Sequence, residues 1–280
     1  MKKRHYLATT LLGAFMFLVN VPLNASLLIT PLQVIMEGRE RSAEIVLINP
    51  SQDTNTYRVH WMQLKQVEKA GGYVPVSDAE RETRLDLEDF AVFTPRQVTL
   101  GPNQKQTVRI AVRRPADLPD GEYKTHLRFM IVPELSQRHE TPKKVDENEM
   151  SFGAKVYASY SIPIIYRSGD IDVKIDIGAP SFSINEKTST VMVELPVNRS
   201  GLHGVVGHID LYFQADGGAE ELIASQGNSS LFPEINQRVF KIMTNQKSLS
   251  AGKLRVVFKK GEFTKDKDVV LDEKVFSIGG

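Results

Sequence analysis

The sequence has no cysteine among its 280 residues, and its formal net charge is only +1. Without cysteine there is no disulfide framework, so apolar cores must hold the chain together, and a hydrophobic content of 41% is compatible with that. The near-neutral charge and the lack of a dense basic tract beyond residue 26 give no reason to expect nucleic acid. No segment after the first 25 residues approaches the apolar length of a membrane-crossing helix, so stable membrane insertion is not expected.

Catalytic motifs are missing as well. There is no G-x-S-x-G, no HExxH, no P-loop and no G-x-G-x-x-G, so no catalytic residue and no cofactor is expected. The glycines of "GLHGVVG" (201–207) precede a strand pattern and read as turn chemistry. His203 and His208 stand five apart, which suits neither one face of a helix nor a zinc pair on a strand, so no metal site is expected. "DGGAEE" (216–221) and "KDKD" (265–268) read as solvated turns rather than calcium loops. The N-x-S sequons at Asn198 and Asn228 carry no meaning in a bacterial host.

What is present begins with "MKKRHYLATTLLGAFMFLVNVPLNAS". A basic start, a short apolar run over 7–21, Pro22 and a small residue at Ala25 predict a cleaved signal peptide over 1–25. The alternative, an uncleaved anchor, needs a longer apolar run. An exported chain without cysteine fits a bacterial periplasm better than a disulfide-dense extracellular scaffold.

The remaining ~255 residues suit two compact domains. "SLLITPLQVIM" (26–36), "SAEIVLI" (42–48), "TYRVHWMQL" (56–64) and "QTVRIAVRR" (106–114) are strand-like, punctuated by Gly and Pro turns. No run of 12 or more residues carries a helical apolar period. After "RSGD" (167–170) a second set begins: 171–177, 190–197, 207–214, 237–243, 253–259 and 269–278. The pattern predicts an all-β chain of two immunoglobulin-sized β-sandwiches, over 26–167 and 168–280, joined by a very short linker. The polar stretch 133–150 reads as an exposed loop between neighbouring strands.

Two strands stand out. In "MSFGAKVYASYSIPIIYR" (150–167) the residues Phe152, Ala154, Val156, Ala158, Tyr160, Ile162 and Ile164 fall on every second position. Strands ordinarily run about 5–6 residues, so this one carries more apolar face than its own domain needs. In "EYKTHLRFMIV" (122–132), Tyr123, Thr125, Leu127 and Phe129 share one face, and Lys124, His126 and Arg128 share the other. The basic row is either a solvated outer face or a groove for an anionic group such as a carboxylate. Together the two strands suit reception of an extended peptide by strand addition.

In the order and spacing of "TPLQVIMEGRERSAEIVLINPS" (30–51), "FTPRQVTLGPNQKQTVRI" (93–110), "LPDGEYKTHLRF" (118–129) and "IPIIYR" (162–167), the chain resembles the periplasmic fimbrial chaperones of the chaperone–usher pathway. "DGEYKTH" and "NRSGLHGVVG" (198–207) look more like that family's archaic or alternative branches. The resemblance implies two immunoglobulin-like domains in an L-shaped, boomerang arrangement, without catalysis or cofactor. It implies that the protein holds fimbrial or pilus subunits by donor-strand complementation and delivers them to an outer-membrane usher. The donor positions it implies here are Ala154, Val156, Ala158 and Tyr160, extended by Phe152. It also implies an interdomain salt bridge between Glu122 and Arg167.

One departure from the family is plain. In its best-known branch an arginine in the first strand and a lysine in the last strand grip the subunit's terminal carboxylate; the matching positions here are Gln33 and Pro163, and neither carries charge. Lys124, His126 and Arg128 are therefore the candidates for a relocated anchor, with Arg58 and Lys155 behind them. A free chaperone could hide its long strand by pairing with a second copy. Two other readings stay open: an immunoglobulin-like structural or adhesive component of the fibre itself, and an exported hydrolase on a β scaffold.

Overall fold

The computed structural model describes residues 27–68, 72–133, 159–261, 264 and 266–279. The signal-peptide stretch, nearly all of the expected loop at 133–150, and the donor positions Phe152, Ala154, Val156 and Ala158 lie outside the described residues.

The first half holds β1 (Leu28–Thr30), β2 (Val34–Glu37), β3 (Ser42–Ile48), β4 (Asn55–Met62), β5 (Leu64–Gln66), β6 (Tyr73–Pro75), β7 (Ala91–Thr94), β8 (Gln97–Leu100), β9 (Lys105–Val112), β10 (Gly121–Val132) and β11 (Ser159–Ser168). One sheet runs β1-β3-β9-β7 and the other β2-β11-β10-β4-β8. The ladders of these sheets are antiparallel except that of β2 with β11, which run side by side in the same direction over 164–167. The expected single strand at 26–36 is thus divided. Pro31 has no N–H to continue a ladder, and the chain passes there from one sheet (β1) to the facing one (β2).

The second half holds β12 (Lys174–Ile177), β13 (Ser181–Asn185), β14 (Thr190–Ser200), β15 (Val205–Ala215), β16 (Glu220–Leu231), β17 (Gln237–Met243), β18 (Gly252–Lys260) and β19 (Val270–Ile278). Strands β12 and β13 line successive stretches of β14, β17 also pairs with β14, and the facing sheet runs β16-β15-β18-β19. Strand β16 went unseen in the sequence. It is polar along most of its length and buries only Ile223, Ser229 and Leu231, so no alternation announces it.

Each sandwich has its own core. Ile45, Leu47, Tyr57, Leu127, Phe129, Ile164 and Tyr166 centre the first. Val193, Leu195, Leu211, Phe240, Val256 and Phe258 centre the second. The cross-strand register puts the predicted core faces together, with Leu127 opposite Ile162 and Phe129 opposite Tyr160. The turn from β9 into β10 is pinned by the Tyr123 hydroxyl, which donates to the Pro119 carbonyl at 2.9 Å. That tyrosine corner is a mark of the immunoglobulin-like sandwich, and the expected all-β, two-sandwich fold class is the one the sheets form.

Among the described residues one α-helix, α1 (Asp78–Thr83), interrupts the strands. Ser77 and Glu80 cap its start reciprocally, the S-x-x-E pattern that satisfies two otherwise orphaned backbone N–H groups. Just beyond the helix, Arg84 points toward the second sandwich.

Candidate functional site

The site is the seam where the outer face of β10 and β11 meets the second sandwich. Because side chains alternate, Tyr123, Leu127 and Phe129 go into the home core while Glu122, Lys124, His126 and Arg128 go to the seam. On β11 the matching seam residues are Arg167, Ile165, Pro163 and Ser161, each the register partner of one of those four. The seam is thus a row of four pairs that become more open from one end to the other.

At the closed end, Arg167 Nε lies 3.0 Å from Glu122 Oε2, and its Nη1 lies 2.8 Å from Glu37 Oε1. Its Nη2 donates to the carbonyl of Gly204 at 2.6 Å, and Glu122 Oε2 accepts the Gly204 N–H at 2.9 Å. The pair therefore holds both backbone groups of one residue in the second sandwich. Only glycine can stand there: a Cβ at 204 would come within 2.8 Å of Glu122, 2.9 Å of Phe232 and 3.0 Å of the Leu231 carbonyl. The turn read from the glycines of 201–207 thus also makes a close approach between sandwiches. His203 is buried and occupied, with one ring nitrogen 3.1 Å from the Ser168 carbonyl and the other accepting the Asp172 N–H.

Next along the row, the seam turns apolar. Ile165, Val206 and Phe232 form a small buried cluster with Ile35 beside it. Lys124 is inserted here, only 2% exposed. Its Nζ lies 2.8 Å from Glu234 Oε1 and 4.0 Å from the centre of the Phe232 ring. Arg84 approaches the same carboxylate at 3.6 Å. Burial pulls the Lys124 pKa down, while the adjacent Glu234 carboxylate opposes the shift. Strands β5 and β6 close this region from the side: Gln66 accepts the Phe232 N–H at 2.8 Å and donates to the Ser230 carbonyl at 3.1 Å. Tyr73 packs edge-on against His126 at 5.1 Å.

His126 is 3% exposed. Burial, with help from the Lys124 charge, pushes its pKa down to about 3, so it is neutral at physiological pH. Arg128, at the open end, donates to Ser159 Oγ at 3.0 Å and lies near Met62 Sδ. The three basic residues do share one face, but that face is not solvated at Lys124 or His126. The carboxylate that Lys124 meets is Glu234 of the chain itself, a residue that sequence reasoning did not single out.

A pocket of about 250 Å³ opens beside His126 at the position of its register partner, lined by Leu32, Gln33, Tyr73, Pro163, Val206, Asn228, Ser230, Phe232 and Arg238. Gln33 and Pro163, the two uncharged positions noted in the sequence, are both in its wall. Arg238 comes from β17 of the second sandwich and was not foreseen. No signal in its own strand could have found it, because its setting depends on how the sandwiches meet. Among the described residues no group of three or more His, Asp or Glu side chains could hold a metal ion. Among the same residues no helix is long and apolar enough to cross a membrane.

No protein-family model and no curated protein matches the chain. Solved structures do. The YadV chaperone aligns over 91% of this chain and 100% of its own, at 13% identity and a TM-score of 0.47. The CsuC–CsuE chaperone–tip adhesion subunit complex of the archaic Csu pili of Acinetobacter baumannii aligns over 91% and 99%, at 14% identity and a TM-score of 0.43. The SafA pilin–SafB chaperone complex of Salmonella enterica aligns over 90% and 96%, at 15% identity and a TM-score of 0.40.

Proposed function

We propose that the protein is a periplasmic chaperone, a binder rather than a catalyst. It holds fimbrial or pilus subunits by lending them a β-strand and passes them to an outer-membrane usher. One observation carries the reading. Strand β2 flanks β11 only over 164–167, and upstream of that point the alternation of apolar residues continues back through Ala158, Val156, Ala154 and Phe152. A strand with apolar side chains along one face and little cover on one edge is a liability in isolation and an asset to a partner that lacks a strand. Tyr160, packed against the first core, is where the lent stretch joins the home domain.

The rigid seam supports the same reading. Glu122, Arg167 and Gly204, with Lys124 and Glu234, fix the second sandwich against the strand that does the lending. A platform of fixed geometry lowers the entropy lost when a partner binds. When free, the protein shields the same edge by pairing with a second copy.

The test is Val156→Asp in the tagged mature chain expressed in its native periplasm. Its thermal unfolding should match the unmodified protein, while the stable one-to-one complex with a fimbrial subunit is lost. Unimpaired co-purification of the subunit with the variant would overturn the donor-strand assignment.

A further inference from the structure

The outer face of the second sandwich carries a thioether in a defined setting. Strand β17 alternates, with Phe240 and Ile242 in the core and Val239, Lys241 and Met243 turned outward. Met243 is 41% exposed, whereas Met36 is 1% exposed and Met62, Met130 and Met192 are half-buried. Its register partner across the sheet is Met192 of β14. Thr190 Oγ1 donates to Met243 Sδ at 3.1 Å, and Thr188 Oγ1 lies 3.6 Å from the same sulfur. The two hydroxyl oxygens are 2.7 Å apart. Because Thr190, the nearer, gives its proton to sulfur, Thr188 gives its own to Thr190, and the three groups form one hydrogen-bonded chain.

The turn that carries these donors is itself fixed. Asn185 Oδ1 accepts the N–H groups of Lys187 at 2.9 Å and Thr188 at 3.2 Å, and the Asn185 carbonyl accepts the Ser189 N–H at 2.8 Å. Ser189 adopts a φ of 52°, which returns the chain into β14 with Thr190 beside the sulfur. A thioether sulfur is a weak acceptor with two lone pairs, and oxygen added at one or the other gives opposite configurations at sulfur, since the sulfoxide is chiral. The lone pair that meets Thr190 is engaged. A reagent arriving from solvent finds the other.

We propose that Met243 is a modification site, oxidised by hydroperoxides to a sulfoxide of one configuration. The open lone pair attacks the terminal oxygen of the peroxide, and the S–O bond forms as the O–O bond breaks. The proton of the transferred oxygen passes to the departing oxygen, which leaves as water or an alcohol. Sulfur loses two electrons and the peroxide gains them, so the step needs no other reactant. Met243 belongs to neither core cluster, whereas Met36 lies in the first, so the added oxygen stands on an outward face. The proposal is independent of the chaperone reading.

The test treats the full mature chain with hydrogen peroxide and follows each methionine by mass spectrometry of a digest. Met243 should oxidise ahead of Met62, Met130 and Met192, with Met36 behind them all. The two stereospecific methionine sulfoxide reductases, each of which reduces one epimer, are then applied separately to the digest. One epimer at Met243 should exceed the other about fivefold, the discrimination that one hydrogen bond supplies. In Thr190→Val, which removes the hydroxyl and keeps the shape, the two epimers should become nearly equal, and in Thr190→Ser the excess should persist. Equal epimers in the unmodified chain, an undiminished excess in Thr190→Val, or faster oxidation of Met62, Met130 or Met192 than of Met243 would overturn the site.

Discussion

Two arginines face each other's sandwiches across the seam, and their surroundings are opposite. Arg167 is 5% exposed and spends its guanidinium on two carboxylates and a backbone carbonyl. Arg238 keeps a buried Nε–H without an acceptor, with the Ser230 carbonyl and the Phe240 ring as neighbours and no carboxylate paired with it among the described residues. Folding alone accounts for the first, because a buried charge must be paired and hydrogen-bonded. It does not account for the second.

The contrast can be broken by removing each arginine in turn. Arg167→Ala leaves Glu122, whose side chain is fully buried, as an unpaired charge. Losing one partner of such a pair costs about 3–5 kcal/mol, to be read by chemical denaturation. A loss below about 1 kcal/mol would mean the pair behaves like an ordinary surface salt bridge and that the seam does not depend on it.

The middle of the row yields an intermediate effect with a defined sign. His126 has a pKa of about 3 in the fold against an ordinary value of 6.5. Between those values only the unfolded chain takes up the proton, so stability is complete above about pH 6.5 and falls as the pH drops toward 3. The loss should reach roughly 2 kcal/mol by about pH 5. His126→Gln should flatten that slope in denaturation curves recorded from neutral to acidic pH; an unchanged slope would assign the acid sensitivity to other groups.

Arg238→Gln should be the mildest of the three for stability, within about 1 kcal/mol of the unmodified protein, because the substitution leaves no acid unpaired. A large destabilisation would make Arg238 another architectural arginine and erase the contrast.

Much of this was legible beforehand, and the reasons are particular. Leu127, Phe129, Ile162 and Ile164 alternate with polar neighbours, so their strands and inward faces could be read directly. Alternation also put Lys124, His126 and Arg128 on one face. What alternation cannot supply is the neighbour of that face. Glu234 lies in the connection between β16 and β17, far along the chain from Lys124, and only the meeting of two sandwiches makes it a counter-ion. The divided first strand and the polar β16 were missed because a sheet switch at Pro31 and a weakly buried strand leave no periodic mark.

The sequence by itself determined the periodicities: two sets of strands, their core faces, and a long alternation of apolar residues over 152–164. Tertiary structure decided the electrostatics. Whether a basic side chain is solvated, paired or left waiting depends on the dielectric and charges that distant segments bring to it. That is why Lys124, a candidate anchor in the sequence, is paired with a carboxylate of its own chain, while Arg238, unremarkable in the sequence, keeps a buried N–H without an acceptor.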